Sequence, residues 1–216
     1  MFSGVAARGG LLIDDFSDAT SPSPWPVSMT SPNVIPVTET GLSGVIGGTR
    51  LSTLSAFFFD LVGLDEVRLD IVPGLGLLDY TSSVGANGDL RIAYVGDFTA
   101  DFSGDALIQI DFTGFDLGAE SPLPVTVTLW SGINSARLTQ MLTQPGAQSV
   151  AFNFSEFANI DAVDLSSVDA MLFEFDPGDG GDFRIGRIGS VVPEPTTLAL
   201  LLGGAGAIVL RRRVER

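Results

Sequence analysis

The 216-residue chain is strongly acidic: 26 aspartates and glutamates face 11 basic residues, all arginines, for a net charge of −15. It contains no cysteine, histidine or lysine, which excludes disulfide bonds, Cys–His zinc sites, Schiff bases and the usual catalytic triads. Because such a negative surface repels phosphate backbones, we expect no nucleic-acid partner.

The chain begins with a segment, residues 1–10, for which we predict disorder. The first predicted strand follows at residues 11–16, where apolar side chains lead into acidic ones. Asp14 and Asp15 lie at its end and Asp18 lies just beyond it. Hard oxygen ligands on flexible loops suit Ca²⁺, so these three aspartates are candidate metal ligands.

Apolar and polar residues then alternate with a period of two, which is typical of strands with one buried face. In chain order the alternation covers residues 67–71, 108–112, 125–129, 150–154, 171–175 and 183–185. It places five large apolar side chains in the core: Ile110, Val127, Phe152, Phe173 and Ile185. Turn residues separate the segments and no long helical pattern intervenes. We therefore predict that residues 11–190 form one all-β domain, an antiparallel β-sandwich of the jelly-roll type.

Trp130 falls on the outward phase of the segment that ends at residue 129. An exposed indole ring offers a flat apolar face on which a sugar can stack, so Trp130 is a candidate ligand-binding residue. The alternative is that a loop covers the ring.

Several segments resemble the galactose-binding-like jelly rolls, an architecture that many carbohydrate-binding modules share. The similar segments are residues 11–16, 150–157, 163–169, 171–175 and 182–185. The resemblance implies that the last strand lies beside the first and that the ligand is a polysaccharide.

A structural calcium ion near the first strand is a further expectation from this resemblance. Asp182 closes a glycine-rich loop, residues 176–182, and neighbouring chain ends would bring it to Asp14, Asp15 and Asp18. The alternative is that the loop is a turn whose aspartates accept hydrogen bonds from backbone amides.

The last 25 residues have a different character. Two prolines make residues 192–195 a stiff, extended spacer. Residues 196–210 are apolar and span about 22 Å as a helix at about 1.5 Å per residue, short of a hydrocarbon core of roughly 30 Å. Three arginines follow as a basic stop. We predict a transmembrane helix over residues 196–210, with its C-terminus in the cytoplasm.

This order of elements resembles the PEP-CTERM sorting domain of Gram-negative bacteria. The sorting motif would be Val192, Pro193, Glu194 and Pro195, and the basic stop would be Arg211, Arg212 and Arg213. The resemblance implies an exosortase-type membrane protease as partner. It also implies an inner-membrane intermediate, with the N-terminal part outside, and then transfer to the cell surface or extracellular matrix.

Members of that family carry an N-terminal secretion signal, but residues 1–10 show no basic region followed by an apolar run. We therefore expect an in-frame signal peptide upstream of Met1; the alternative is that the export interpretation is wrong. Without the tail, from residue 194 onward, 24 acidic residues face 7 arginines, a net charge near −17, which favours solubility outside the cell.

The sequence as a whole favours an exported, non-catalytic protein that contacts extracellular polysaccharide. The alternative is a carbohydrate-active enzyme, a glycosidase or lyase that uses paired carboxylates.

Overall fold

The structure, a computed structural model, describes residues 10–21, 23–117 and 122–192. Within these residues the chain forms thirteen β-strands, four short 3₁₀ turns and no α-helix. None of the helical turns in the described part of the chain is long and apolar enough to cross a membrane. The predicted transmembrane helix over residues 196–210, the basic stop and most of the sorting motif lie outside the described residues, as do residues 1–9.

The strands are numbered in chain order: β1 Leu12–Asp14, β2 Val27–Met29, β3 Asn33–Thr40, β4 Thr49–Phe59, β5 Val67–Val72, β6 Leu77–Ser82, β7 Ala86–Ala100, β8 Leu107–Asp116, β9 Leu123–Ser131, β10 Asn134–Leu142, β11 Gln148–Asn153, β12 Val168–Phe175 and β13 Asp182–Val191. The 3₁₀ turns are Ile46–Gly48, Pro73–Leu75, Phe154–Glu156 and Ile160–Ala162.

The strands form two antiparallel sheets. The first, sheet A, has the order β11-β8-β13-β6-β5-β2, with β1 added beside β13. The second, sheet B, has the order β10-β9-β12-β7-β4-β3. Most neighbours in these orders are distant in sequence, so long-range pairing holds the sheets together. The prediction of an all-β antiparallel sandwich is confirmed.

The core lies between the inner faces of the two sheets. The five side chains that the alternation placed there are all fully buried: Ile110, Val127, Phe152, Phe173 and Ile185. Phe175 of sheet B packs on Phe112 and Phe183 of sheet A, with ring centroids 6.3 Å and 5.1 Å apart. Burial of each such ring stabilises the fold by about 1.5–3 kcal/mol.

The first and last strands are neighbours, as expected. Leu12 lies opposite Gly189, and the Ser190 N–H donates to the Leu11 carbonyl oxygen at 2.8 Å. The Leu11 N–H in turn donates to Ser190 Oγ at 2.7 Å. Gly10 permits this contact, because a Cβ at that position would lie 2.0 Å from the Ser190 carbonyl oxygen.

A buried ion cluster joins this first strand to sheet B. Arg50 of β4 donates to Asp14 Oδ2 at 2.8 Å and to Glu39 Oε2 at 2.7 Å, and all three side chains are inaccessible to solvent. Tyr94 donates its hydroxyl proton to Asp14 Oδ2 at 2.8 Å. The Arg50 guanidinium also lies 5.5 Å from the centre of the Phe16 ring.

Backbone N–H groups donate further hydrogen bonds to the two carboxylates of the cluster. The backbone N–H of Phe16 donates to Asp14 Oδ1, and that of Thr20 donates to Glu39 Oε1. Desolvation alone would lower the pKa of Arg50, but the neighbouring Asp14 carboxylate raises it above its ordinary value. Arg50 therefore stays charged, and the segment from Asp14 to Thr20 is fastened to sheet B.

We expect Arg50→Met to lower the free energy of unfolding by about 3–5 kcal/mol, because the change leaves two carboxylates buried without their counter-charge. Urea unfolding measures the loss. The matched control is Arg184→Met: its ion pair with Asp79 is solvent-accessible and should be worth about 1 kcal/mol or less. Equal losses for the two variants would contradict a special role for the buried cluster.

Candidate functional site

The three N-terminal candidate metal ligands are each engaged inside the protein. Asp14 belongs to the buried ion cluster. Asp15 accepts hydrogen bonds from the backbone N–H and the hydroxyl of Ser17, at 3.0 Å and 2.6 Å. Asp18 accepts from the backbone N–H and hydroxyl of Ser43, and these bonds lower the pKa of Asp18. All three carboxylates thus have a structural role that needs no ion.

The structure does not bring Asp182 to Asp14. Asp182 lies opposite Asp116, whereas Asp14 lies opposite Ile188. Six residues of extended strand separate those positions on β13, about 20 Å at roughly 3.3 Å per residue. The first and last strands meet only at the far end of β13. Among the described residues no group of three or more acidic side chains could hold a metal ion, and calcium binding stays a prediction from the sequence.

In the structure, aspartates of the loop at residues 176–182 accept hydrogen bonds from backbone amides, as the turn interpretation expects. Asp179 accepts from the backbone N–H of Gly85 at 2.6 Å, and Asp182 accepts from that of Ser82 at 2.8 Å. These bonds fix the loop against the connection between β6 and β7.

The outer surface of sheet B carries the candidate aromatic residue, and we call this surface the Trp130 face. Trp130 is half-buried and borders an open hollow of about 340 Å³. Ala170 and Val95 continue the same cross-strand row, and Leu172 and Ala93 form the next row. The ring is therefore part of an accessible, mostly apolar platform.

A row of charged side chains, Arg91 and Glu174, lies on the same face two rows from Trp130, and Arg137 lies opposite Thr128 in the row between them. Arg91 and Arg137 both contact Glu174, at 3.4 Å and 3.1 Å, and Arg91 also lies 3.7 Å from Asp89. The two arginine side chains are 53% and 61% exposed, so both remain accessible from solvent. Sequence reasoning missed this row, although Glu174 occupies an outward position of a predicted strand.

The outer surface of sheet A has a different character. It carries a hollow of about 330 Å³ over β6, β13 and the end of β8, which we call the Gly114 trough. A second hollow, of about 220 Å³, shares Asp79 and Thr81 with it and extends to β5. The polar side chains along the two hollows are Arg68, Asp70, Asp79, Thr81, Asp116, Asp182 and Arg184.

Ion pairs order the trough. Arg184 Nε contacts Asp79 Oδ1 at 2.9 Å, and Arg68 Nη2 contacts Asp70 Oδ2 at 3.2 Å. Partial burial raises the pKa of Asp182, and the nearby charges of Asp116 and Asp79 add to the rise. The hydrogen bond from Ser82 opposes these effects without cancelling them.

Comparison with known proteins identifies similar shapes at low identity. The family 11 carbohydrate-binding module of a cellulosomal cellulase of Clostridium thermocellum shares 13% identity, covers 87% of this chain and 97% of its own, and gives a TM-score of 0.42. A family 30 module from another cellulase of that organism shares 16% identity, with coverages of 78% and 98% and a TM-score of 0.40. An agarase shares 10%, with a TM-score of 0.47; the match covers 86% of this chain and 25% of the agarase.

No protein-family model matches the chain, and no curated protein matches it. The chain is thus described by its own architecture: an antiparallel β-sandwich with an aromatic outer face and a polar outer face.

The raised pKa of Asp182 predicts a pH-dependent stability. A carboxyl group whose pKa in the folded protein exceeds its ordinary value of 3.8 favours folding when protonated, and that contribution is lost as the pH rises through the folded-state pKa. Asp182→Asn should therefore raise the melting temperature at pH 7, since the amide oxygen can still accept from Ser82. The gain should disappear below about pH 4. A gain that does not change with pH would contradict this assignment.

Proposed function

We propose that the protein is a non-catalytic module that binds extracellular polysaccharide on the Trp130 face. The observation that carries the proposal is the combination on one open surface of an indole ring, an apolar platform and a row of exposed charged groups. This is the composition of small-ligand sites, in which apolar walls supply contact area and a few polar groups fix the orientation.

The chemistry of a sugar fits both parts of the face. A pyranose ring has an apolar C–H surface, which can stack on the indole of Trp130. Its hydroxyl groups can bond to the planar guanidinium and carboxylate groups of Arg91, Arg137 and Glu174, and bonds to charged groups are the stronger kind. The charged row lies about 13 Å from the Trp130 row at roughly 6.6 Å for each two-residue step. The face therefore suits a chain of several sugars better than a single one.

We expect Trp130→Ala to weaken binding to immobilised polysaccharide at least tenfold, or about 1.4 kcal/mol, because central aromatic residues dominate such contacts. Surface plasmon resonance against a panel of neutral and acidic polysaccharides measures the change. Leu64→Ala is the matched control, since Leu64 is 79% exposed and lies in the connection between β4 and β5, outside the strands of this face. Unchanged binding of Trp130→Ala would exclude the Trp130 face as the site.

We also propose that the tail sorts the protein to the cell surface or extracellular matrix after processing by an exosortase-type protease. The support is the order of motif, apolar run and basic stop in residues 192–213. The last strand ends at Val191, which is 37% exposed. The motif, residues 192–195, therefore follows the last strand directly in the sequence.

We expect replacement of Pro193, Glu194 and Pro195 by alanine to leave full-length protein in the inner membrane. Fractionation and mass measurement of the native and altered chains test this. Replacement of Thr196 and Thr197 by alanine is the control, because it keeps the motif and the apolar run. Normal shortening and release of the altered motif would contradict the sorting proposal.

One observation favours the alternative function, hydrolysis or lysis of a glycosidic bond. Asp182, whose pKa is raised by partial burial, lies directly opposite Asp116 across β13 and β8, and acid–base cleavage of a glycosidic bond uses two nearby carboxyl groups in different environments. We rank this function second because Asp182 is held by a backbone hydrogen bond and Asp116 is exposed. Release of reducing ends from polysaccharide, lost in Asp182→Asn, would favour the enzyme.

A further inference from the structure

We infer that the Gly114 trough is a second saccharide-binding site, for a neutral polysaccharide, on the opposite outer face from Trp130. The domain would then hold two polysaccharide segments at once. The inference uses residues of sheet A only, so the site can exist whether or not the Trp130 face binds sugar.

The first argument is that the fold itself gives no reason for glycine at position 114. Gly114 lies in β8, opposite Arg184, and its φ is not in the left-handed region. A Cβ there would meet only the Arg184 Cδ, at 4.0 Å. Gly88, by contrast, is required, since its Cβ would lie 2.5 Å from the Ser55 carbonyl oxygen. Glycine weakens a strand and often marks a place where a ligand approaches the backbone closely.

The second argument is the polar lining. Arg184 Nε and Asp79 Oδ1 form an ion pair at 2.9 Å, yet the two side chains are 57% and 28% exposed. Each planar group is thus oriented by its partner and still presents donors or acceptors to the trough. Such pre-ordered guanidinium and carboxylate groups match the adjacent hydroxyl pairs of a sugar, and little side-chain freedom is lost when they bind. Thr81 adds a hydroxyl group between them and Arg68.

The third argument concerns the charge of the ligand. The two hollows carry four carboxylates, those of Asp70, Asp79, Asp116 and Asp182, against the guanidinium groups of Arg68 and Arg184. Their excess negative charge, on a chain of net charge −15, repels uronate or sulfated polymers. A neutral polysaccharide avoids this repulsion and uses both signs of charge as hydrogen-bonding partners.

The two faces point in opposite directions because they are the outer surfaces of two packed sheets, whose backbones lie roughly 10 Å apart. A single stretch of polysaccharide cannot stack on Trp130 and fill the trough at once. Occupation of both sites therefore links two segments, and the second contact within a network gains from the high local concentration of chains.

The first test uses a variant whose new side chain fills the trough while every polar group of the trough is kept. Gly114→Leu places an apolar side chain in the hollow at a position where the backbone accepts one. We would titrate the full chain in detergent with β-1,4-linked and β-1,3-linked glucohexaose, and with a hexauronate of equal length, by isothermal calorimetry. We expect two glucohexaose sites on the native chain, one on Gly114→Leu, one on Trp130→Ala and none on the double variant. The hexauronate should not bind in the trough.

A second pair of variants tests the same site in case Gly114→Leu does not fold. Arg184→Ala should weaken the trough site at least tenfold. Arg187→Ala, three residues along the same strand and outside the trough, should leave it unchanged. Native protein should also precipitate a long neutral glucan at a protein concentration at which each single-site variant does not.

The outcomes separate the two sites. Loss of all binding in Trp130→Ala, with Gly114→Leu and Arg184→Ala like the native chain, would overturn the second site and leave the proposed function intact. Loss in the trough variants alone would support the trough and count against the Trp130 face. Failure of the native chain to bind either glucohexaose, with binding to another polysaccharide of the panel that is lost in Trp130→Ala, would overturn the trough site and leave the proposed function intact.

Discussion

The buried ion cluster around Arg50 is the interaction on which the closure of this sandwich depends. β1 has only three residues, and so short a strand pairs weakly by itself. Arg50 gives it a second attachment, since its guanidinium bonds both Asp14 on β1 and Glu39 on β3. The first strand therefore cannot leave β13 without exposing two carboxylates and a guanidinium that were matched to one another.

The cluster also explains why charges are tolerated inside a core of this kind. One guanidinium faces two carboxylates, so an excess negative charge must be stabilised by other donors. The Tyr94 hydroxyl and the backbone N–H groups of Phe16 and Thr20 supply them. Buried ion pairs add little stability relative to an apolar core but are costly to break. The arrangement thus penalises alternative positions of the N-terminal segment.

The parts of the fold that could be predicted are those whose side chains follow a simple period. Phe173 and Ile185 sit in strands with clean alternation, and both are in the core. β4 gave no such signal, because Arg50, Ser52 and Ser55 occupy buried positions that usually hold apolar residues. The long-range ion pairs that make burial of Arg50 favourable cannot be read from a local pattern.

The same limit applies to the candidate site residues. The outward phase of Trp130 follows from its strand, and the structure places it on an open face. Asp14 was interpreted as a candidate ligand because it is grouped with Asp15 and Asp18 at the end of a predicted strand; its partner Arg50 lies 36 residues away in the chain. Asp182 lies on a strand adjacent to β1, but adjacency of two strands does not bring their opposite ends together.

The direction of the last strand connects the two proposed binding faces with the proposed sorting tail. β13 runs along the sandwich and ends at Val191, so the described part of the chain ends at the end of a strand and not on either outer face. The Trp130 face and the Gly114 trough lie on the two outer surfaces of the sandwich, away from the ends of the strands. A domain attached through its tail would therefore leave both faces uncovered. An attachment through either outer face would instead remove one site, and a surface-bound module could no longer join two polysaccharide segments.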